Sequence, residues 1–325
     1  MSETKLRRIG ILTSGGDSPG MNAAIRAAVR ACQKHGIVPI GIRRGFAGLI
    51  RSDTEVMDAR SVNGITHHGG TVLYTARCEE FKTDEGVQSA VKACKYLGLD
   101  AVLAIGGDGT FHGLRALSRR GVNVIGVPAT IDNDIGCSHY TIGFDTAANT
   151  AIEAIDKLAD TMQSHERVSV VEVMGRHAGH LAVYVGLAVG ATSILIPEIP
   201  FDFGRDIIEQ IRDGRQRGKR HHLIIVAEGV GRCGDLAAQI AEETGIDTRV
   251  SILGYIQRGG SPSARDRVMA SRMGHFAVEQ LVGGAQNQIV CYRDSQLVSI
   301  PVEDAIDMKK GLDMYMYKVA YDISI

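Results

Sequence analysis

The sequence lacks the features that mark a membrane protein, a secreted disulfide-rich protein or a general nucleic-acid binder. No apolar run approaches the roughly 20 residues that span a bilayer, and residues 1–8 contain no apolar core of a signal peptide. The six cysteines are scattered without a Cys-x-x-Cys pair, which favours a reduced protein over a disulfide scaffold or zinc site. Lysine plus arginine (36) balances aspartate plus glutamate (37), so anion binding must come from local clusters. We therefore expect a cytoplasmic protein without nucleic-acid or membrane partners.

The length and composition predict an ordinary globular protein. Its 325 residues most simply form two domains, and 44% hydrophobic residues supply their cores. Short apolar runs alternate with helix-compatible segments along most of the chain, and no repeat of solenoid length occurs. This alternation predicts α/β domains with parallel, doubly wound sheets. Residues 43–70, rich in glycine and polar side chains, are predicted to be mainly loops.

The predicted strand 101–105 ends in Gly-Gly-Asp-Gly-Thr, residues 106–110, before a predicted helix. Strand-to-helix turns are where such sheets bind ligands. Glycines let the backbone approach an anion, and the helix start supplies free N–H groups for phosphate. Asp108 would repel that phosphate unless a cation lay between them, so it is a natural Mg²⁺ position. The alternative is a tight turn in which Asp108 only caps the helix. A second turn of this type occupies residues 14–20.

Residues 128–134 read Pro-Ala-Thr-Ile-Asp-Asn-Asp and follow another predicted strand. In an extended segment Thr130, Asp132 and Asp134 would share one side. Clustered carboxylates at a strand end suit general-base catalysis or cation binding. The alternative is an Asx-turn loop. We favour the functional interpretation because this turn parallels the two glycine turns.

Several arginines follow the predicted strand ends, and each alone would be read as a surface salt-bridge partner. Arginine is also the residue best suited to phosphate, because it offers paired hydrogen bonds and a fixed charge. The arginines are Arg77, Arg167, Arg176, Arg249 and Arg258. Together with the turns they predict a site for a nucleotide, a metal and a second phosphorylated ligand, which indicates phosphoryl transfer. The basic run at 215–220 is better explained as a solvated helix end than as an anion site.

The turns together resemble one family from end to end. The matching motifs are Thr-Ser-Gly-Gly-Asp at 13–17, Gly-Gly-Asp-Gly at 106–109, Pro-Ala-Thr-Ile-Asp-Asn-Asp at 128–134, Met-Gly-Arg at 174–176 and Gln-Arg-Gly-Gly-Ser-Pro at 257–262. In this order they resemble the bacterial ATP-dependent 6-phosphofructokinases. The resemblance implies two Rossmann-like α/β/α domains with the active site in the cleft between them. It places ATP on residues 1–142 plus 256–306 and the sugar phosphate on 143–255 plus 307–325.

The resemblance also implies a role for each matching residue. Asp132 would be the base that deprotonates the sugar 1-hydroxyl, with Thr130 and Asp134 supporting it. Arg176 and the backbone of Gly15 and Gly16 would stabilise the transferring phosphoryl group. Mg²⁺ would be held by Asp108. The ATP site would comprise Gly16, Arg77, Cys78, Gly107, Asp108, Gly109 and Thr110. The sugar-phosphate site would comprise Thr130, Ile131, Asp132, Arg167, Met174, Gly175, Arg176, Glu228, Arg249, Tyr255 and Arg258. Arg167 and Arg249 would reach a neighbouring active site, which implies a homotetramer.

The chain departs from the family pattern at two places. Tyr255 replaces a histidine of the sugar-phosphate site, and its hydroxyl can still donate a hydrogen bond. Basic residues of the family's effector site are matched by Arg26, Arg30, Arg217 and Lys219. However, Ala59, Gly64, Ala159 and Thr192 stand where relatives commonly have Arg, Asp, Arg and Glu. Losing two fixed positive charges and a carboxylate predicts weak or altered control by ADP and phosphoenolpyruvate.

Three other functions compete with ATP-dependent phosphoryl transfer to the sugar. Pyrophosphate-using relatives carry Asp and Lys where this chain has Gly109 and Ala129, so ATP is the favoured donor and pyrophosphate the alternative. A nicotinamide dehydrogenase would need G-x-G-x-x-G in the first turn, which is absent. A catalytically silent nucleotide sensor would predict loss of Asp108 or Asp132, and both are present.

Overall fold

The computed structural model describes residues 6–324 and divides the chain into two units. The first unit comprises the chain up to Thr130, Asp134–Thr146 and Arg258–Lys310, and the second comprises Ile131–Asn133, Ala147–Gln257 and the chain from Gly311 onward. The domain boundaries expected from the resemblance lie within a few residues of these divisions, except that residues 131–133 were expected in the first domain. That expected division remains a prediction. The first five residues of the chain and its last residue lie outside the described part.

The first unit is built on a seven-stranded sheet in the order β11-β10-β5-β4-β1-β2-β3. Neighbouring strands are parallel except for the pairs β2–β3 and β10–β11, which are antiparallel. The strands are β1 (Arg8–Ser14), β2 (Val38–Ile42), β3 (Thr54–Val56), β4 (Ala101–Gly106), β5 (Val124–Pro128), β10 (Gln288–Arg293) and β11 (Gln296–Pro301). The parallel centre of the sheet places the carboxyl ends of β1, β4 and β5 along one edge.

Helices cover both faces of this sheet, because its central strands are apolar on both sides. In β4, Leu103 and Ile105 pack in one core cluster with helices α1 and α9, whereas Val102 and Ala104 pack in another with α2, α3, α4 and α10. The helices of this unit are α1 (Met21–Lys34), α2 (Gly45–Arg51), α3 (Asp84–Tyr96), α4 (Asp108–Ser118), α9 (Ala264–Val282) and α10 (Val302–Asp307). The result is the predicted three-layer arrangement.

The second unit has a four-stranded, all-parallel sheet in the order β7-β8-β6-β9. Its strands are β6 (Val168–Val173), β7 (Ser193–Leu195), β8 (His222–Ala227) and β9 (Thr248–Ile252). Its helices are α5 (Phe144–Ser164), whose first turn is assigned to the first unit, α6 (His180–Ala188), α7 (Gln210–Gln216), α8 (Cys233–Thr244) and α11 (Met314–Asp322). A π-helical turn, Gly204–Glu209, leads into α7. The ends of β6 and β8 lie side by side, and Met174, Gly175 and Arg176 follow the first of them and Glu228 the second.

The expectation of mainly loops at 43–70 is wrong in part. This stretch contains α2, β3 and a 3₁₀ turn at Ile65–His67. Helix α2 follows Arg44, which has a left-handed φ of 57°, and its first residue, Gly45, also has a positive φ of 60°. Its Phe46 ring stacks on Phe81 at 4.1 Å between centroids. The helix is thus stabilised by packing against a distant segment, which periodicity within the stretch does not reveal.

Candidate active site

The first glycine turn links β1 to α1 and carries Gly16 beside Arg258. A Cβ atom built on Gly16 would lie 3.2 Å from Nη1 of Arg258, so a larger residue would press on the guanidinium. Gly15 has a φ of 85°, which a glycine adopts without steric cost. The structure therefore places one residue predicted for the phosphoryl group next to one predicted for the sugar phosphate.

The second glycine turn links β4 to α4 and carries the predicted metal ligand. Asp108 is the first residue of α4, and the N-cap is Gly107 without a side-chain cap. The alternative interpretation of Asp108 as the helix cap is therefore wrong. Its side chain is 52% exposed and lies 3.5 Å from Nε2 of His112. A carboxylate at the start of a helix, open to solvent and close to free N–H groups, is available to a cation that accompanies phosphate.

The next two residues of this turn, Gly109 and Thr110, differ in exposure. A Cβ built on Gly109 meets no atom within 4 Å, so the backbone here faces open space. Thr110 is 1% exposed, and its hydroxyl donates to the carbonyl of Ser14 at 3.1 Å. That bond joins the first glycine turn to the second.

The segment that carries Arg77 and Cys78 is hydrogen-bonded to the end of β1. The Thr13 hydroxyl lies 2.8 Å from that of Thr71 and donates to the carbonyl of Tyr74 at 2.9 Å. The Thr75 hydroxyl donates to the carbonyl of Gly15 at 2.7 Å. These bonds fix the approach to Arg77, which is exposed, and Cys78, which is half-buried. The structure thus holds the segment just before Arg77 and Cys78 against the end of β1 and the first glycine turn; that these two residues bind the nucleotide stays a prediction.

The segment after β5 begins beside the second glycine turn. The N–H of Ala129 donates to the carbonyl of Gly106 at 2.9 Å, and a Cβ built on Gly107 would lie 3.5 Å from Cβ of Thr130. The Thr130 carbonyl accepts a bond of 2.7 Å from the hydroxyl of Thr141. Within the first unit, Thr130 therefore adjoins the predicted ATP-binding turn.

The extended conformation predicted for residues 130–134 is wrong. A turn forms at 131–132, and Asn133 has a left-handed φ of 51°. Asn and Asp tolerate this conformation, which ends the two-residue alternation on which the shared face depended. Ile131 is 3% exposed and Asp132 is half-buried. Ile131 is therefore placed as an apolar anchor of the turn.

Asp266 is a buried carboxylate that sequence reasoning missed. It is 0% exposed and accepts hydrogen bonds from the Tyr140 hydroxyl, the N–H of Gly143 at 2.7 Å, and both the N–H and hydroxyl of Thr146 at 2.8 and 2.5 Å. Burial raises the pKa of Asp266, although these bonds oppose the rise. The carboxylate fixes the chain segment 140–146 that follows the candidate catalytic turn. The only local pattern around Asp266 is a serine three residues earlier, Ser263, whose hydroxyl accepts the N–H of Asp266 as a helix cap.

In the second unit, the turn after β6 is held by Glu228 at the end of β8. Oε1 of Glu228 accepts the N–H of Arg176 at 2.5 Å and the N–H of Gly175 at 3.3 Å. Gly175 (φ 145°) and Arg176 (φ 57°) both have positive φ, and the Arg176 residue is exposed. Met174, 5% exposed, donates its N–H to the side chain of Gln257 at 3.3 Å. Three predicted sugar-site residues are thus joined by direct hydrogen bonds.

Arg167 and Arg249 share one carboxylate. Nε of Arg167 donates to Oδ2 of Asp247 at 2.6 Å, and Arg249 lies 3.1 Å from Oδ1. Partial desolvation raises the pKa of Asp247, but the hydrogen bonds and charges of the two arginines outweigh it and leave that pKa below its ordinary value. The structure therefore places the two predicted phosphate-binding arginines together. Asp247 carried no signal in the sequence.

The family comparison agrees with this arrangement of turns. Residues 8–281 match the family described as phosphofructokinase. The chain is 52% identical over 320 residues to the ATP-dependent 6-phosphofructokinase of Bacillus pumilus (strain SAFR-032), covering 98% of this chain and 100% of that protein. The chain belongs to the phosphofructokinase family. The resemblance inferred from the motifs is confirmed.

Solved phosphofructokinase structures confirm the α/β fold class. The structure of Pichia pastoris phosphofructokinase in the T-state superposes with a TM-score of 0.89 at 33% identity, over 100% of this chain and 40% of the yeast chain. This chain therefore spans less than half of the yeast polypeptide. The pyrophosphate-dependent phosphofructokinase of Marinobacter aquaeolei, at 22% identity, shares the fold with a TM-score of 0.83 over 98% of this chain and 92% of that one.

The remaining predicted site residues of this phosphofructokinase family member are Tyr255 and the four effector-site cations, which differ in exposure. Tyr255 is 78% exposed in a 3₁₀ turn, Gly254–Arg258. Nζ of Lys219, a predicted effector-site cation, donates to the carbonyl of Ser324 at 3.0 Å, and burial lowers its pKa. Arg26 is half-buried on α1, and Arg30 and Arg217 are exposed.

The carboxylates and helices of the described residues bear on metal and membrane binding. Residues 6–324 contain no group of three or more His, Cys, Asp or Glu side chains arranged to hold a metal. A Mg²⁺ ion usually takes only one or two carboxylates and completes its shell with phosphate and water. The exposed Asp108 carboxylate fits that donor set. In the same range, no helix is both long and apolar enough to cross a membrane.

Proposed function

We propose that the protein transfers the γ-phosphoryl group of Mg-ATP to the 1-hydroxyl of fructose 6-phosphate, giving fructose 1,6-bisphosphate and ADP. The observation that carries the proposal is the 52% identity, over 98% of the chain, to a protein named ATP-dependent 6-phosphofructokinase. The reaction breaks the bond between the γ-phosphorus and its bridging oxygen and forms one from that phosphorus to O1 of the sugar. The hydroxyl proton leaves as O1 attacks.

The ATP phosphates are bound by the two glycine turns. Free N–H groups at the start of α4 and the backbone of Gly107–Thr110 receive them, while Arg77 and Cys78 line the nucleotide. Asp108 holds Mg²⁺, which neutralises charge on the phosphates. The open space at Gly109 supports this role, because backbone without a side chain can lie directly against a phosphate.

The chemistry at the acceptor is assigned to the turn after β5. Asp132 takes the proton of the sugar hydroxyl, and Thr130 and Asp134 position it. Its half-buried side chain supports a base partly shielded from water. Arg176 and the N–H groups of Gly15 and Gly16 stabilise the charge of the transferring group.

The sugar phosphate is recognised by a larger set of residues. Ile131 orders the turn, Glu228 and the backbone of Met174 and Gly175 bind the sugar hydroxyls, and Tyr255 and Arg258 bind polar groups of the ligand. Arg167 and Arg249 bind the 6-phosphate of a neighbouring subunit's site. That assignment makes the enzyme a homotetramer. This assignment is supported by Asp247, whose carboxylate pairs with both guanidinium groups. Both groups are partly exposed and lie at one place on the surface.

Regulation at the matched effector positions is proposed to be weak. Lys219 already donates to a carbonyl of its own chain, and its burial disfavours the charged form. The replacements Ala59, Gly64, Ala159 and Thr192 remove further ligand groups. Tight, cooperative control by ADP or phosphoenolpyruvate at ordinary concentrations would contradict this. We also propose a cytoplasmic location, which the six free thiols support.

The deciding experiment measures steady-state formation of fructose 1,6-bisphosphate with Mg-ATP and, separately, with Mg-pyrophosphate. Turnover with ATP alone is the expected result. Turnover with pyrophosphate would keep the sites and overturn the choice of donor. No turnover with either would favour a silent nucleotide sensor.

A further inference from the structure

Residues 141 and 142 are hydrogen-bonded directly to the end of β5. The Thr141 hydroxyl donates to the carbonyl of Thr130 at 2.7 Å, and the N–H of Ile142 donates to the carbonyl of Pro128 at 3.0 Å. Ala129 and Ile142 pair as an isolated parallel bridge. Thr141 is 0% exposed, so bulk water does not compete for the Thr130 carbonyl at this bond. Thr141 is therefore in direct contact with a residue of the proposed catalytic turn.

The same short segment is fixed to the first glycine turn. The hydroxyl of Ser18 donates to the carbonyl of Ile142 at 2.9 Å. Gly143 has a φ of 103°, and a Cβ built on it would lie 2.6 Å from Cβ of Ser18. Because real Cβ atoms do not approach one another so closely, a glycine is needed at 143 for this contact. Residues 141–143 thus connect the end of β5 to the turn that carries Gly15 and Gly16.

Asp266 anchors this segment at both of its ends. Its carboxylate accepts the Tyr140 hydroxyl and the N–H of Gly143 at 2.7 Å on one oxygen, and the N–H and hydroxyl of Thr146 on the other. The Thr146 hydroxyl in turn accepts the N–H of Ser263 at 3.0 Å. All of these residues belong to the first unit, as do Thr130 and Thr141. A fully buried carboxylate with its donors in place makes a rigid support.

We propose that Thr141 is a positioning residue for phosphoryl transfer, whose hydroxyl holds the Thr130 backbone and so directs the Thr130 side chain, with Asp266 as the anchor of its segment. This inference rests on the proposed function, which places Thr130 at the reacting groups. Thr141 is fully buried and acts through its bond to Thr130. Its loss therefore slows the chemical step more than it weakens the binding of either substrate.

Thr141→Val is the first test, because valine keeps the branched shape and removes the hydroxyl. We expect kcat to fall about tenfold, with KM for ATP and for fructose 6-phosphate within about twofold of the parent values. Thr141→Ser keeps the hydroxyl and should retain most of kcat. Thr244→Val is the matched control, because the Thr244 hydroxyl also donates to a backbone carbonyl, that of Ile240 at 2.6 Å, in the second unit. It should retain the parent kcat.

Thermal unfolding of the same variants separates positioning from stability. Thr141→Val and Thr244→Val each lose one hydroxyl-to-carbonyl bond, so both should have lowered unfolding midpoints. Only Thr141→Val should also lose kcat. Parent-like kcat in Thr141→Val, an equal loss of kcat in Thr244→Val, or failure of Thr141→Ser to retain kcat would overturn the proposal. If Thr141→Val does not fold, Thr141→Ala removes the same hydroxyl and carries the same decision.

Two further variants test the route of the effect. Thr141→Val combined with Thr130→Val should be little slower than Thr130→Val alone, because the side chain that Thr141 directs has already lost its hydroxyl. Additive losses would overturn the proposal. Asp266→Asn turns an acceptor oxygen into a donor that faces other donors, and it should lower kcat at least as much as Thr141→Val. Parent-like kcat in Asp266→Asn would overturn its role as anchor, and if this variant does not fold, the Thr141 variants decide. An inactive parent enzyme would instead refute the proposed function.

Discussion

Oε1 of Glu228 accepts the backbone N–H of Arg176 at 2.5 Å, so one predicted sugar-binding residue holds another in its left-handed conformation. We expect Glu228→Ala to lower kcat/KM for fructose 6-phosphate roughly ten- to a hundredfold, because hydrogen bonds to a charged group contribute about 1.5–3 kcal/mol. Glu228→Gln retains an acceptor oxygen and should lose less. Steady-state kinetics at saturating Mg-ATP measures both variants.

A matched control for this prediction is Glu198→Ala. Glu198 also accepts a backbone N–H, that of Gly179 at 2.8 Å, in the same unit. It has no proposed ligand contact, so its replacement should change kcat/KM much less than that of Glu228. Equal losses in the two variants would indicate that Glu228 acts only by stabilising the fold.

Asp132→Asn tests the proposed general base. The amide is nearly the same size as the carboxylate but cannot accept the hydroxyl proton, so kcat should fall roughly 10²- to 10⁴-fold. KM for fructose 6-phosphate should change little, since the loss occurs in the transition state. Single-turnover measurements with excess enzyme isolate the chemical step. Near-normal turnover of this variant would show that another group removes the proton.

The candidate site was predictable where chemistry is concentrated in short motifs. Glycines, aspartates and arginines at strand ends mark the turns directly, and parallel topology then brings the ends of β1, β4 and β5 to one edge. The backbone conformation within these motifs was harder to predict from the sequence. The shared face of Thr130, Asp132 and Asp134 was wrong because Asn133 adopts a left-handed φ, a choice that its residue type permits but does not dictate.

Partners far apart in the chain could not be predicted. Thr146 lies 120 positions from Asp266, and Asp247 lies 80 positions from Arg167, so no local pattern pairs them. Ser261 followed by Pro262 is a pattern typical of a helix cap and first helical residue, yet the cap of α9 is Ser263, whose hydroxyl accepts the N–H of Asp266. The Ser261 hydroxyl instead donates to the carbonyl of His67 at 2.8 Å, a tertiary bond that competes with capping.

His222 makes stability depend on pH. It is 0% exposed, and its Nε2 has no hydrogen-bond partner in the described part of the chain. Burial, and next the charge of Lys219, lower its pKa from 6.5 to about 4. Above pH 6.5 the folded and unfolded forms are both neutral at this residue. As the pH falls from about 6.5 to 4, only the unfolded chain gains the proton, which costs on the order of 3 kcal/mol of stability.

Urea unfolding at fixed protein concentration, followed across this pH window, checks the His222 prediction. His222→Asn removes the titrating group, so its unfolding midpoint should fall less between about pH 6.5 and 4 than that of the parent. His165→Asn is the control, because His165 is exposed on the same unit. It should retain the parent's pH dependence. Parallel curves for all three proteins would show that other groups determine the acid sensitivity.

Gly109→Asp tests the choice of phosphoryl donor at one position. The new side chain would enter space in which a Cβ meets no atom within 4 Å, so the fold should tolerate it. Its charge would lie where ATP phosphate is proposed to bind, and we expect kcat/KM for ATP to fall by roughly a hundredfold or more. Gly234→Asp is a close control, since Gly234 is likewise the second residue of a helix and likewise faces open space. Its kinetics should match the parent enzyme. Undiminished use of ATP by Gly109→Asp would place the nucleotide phosphates away from the start of α4.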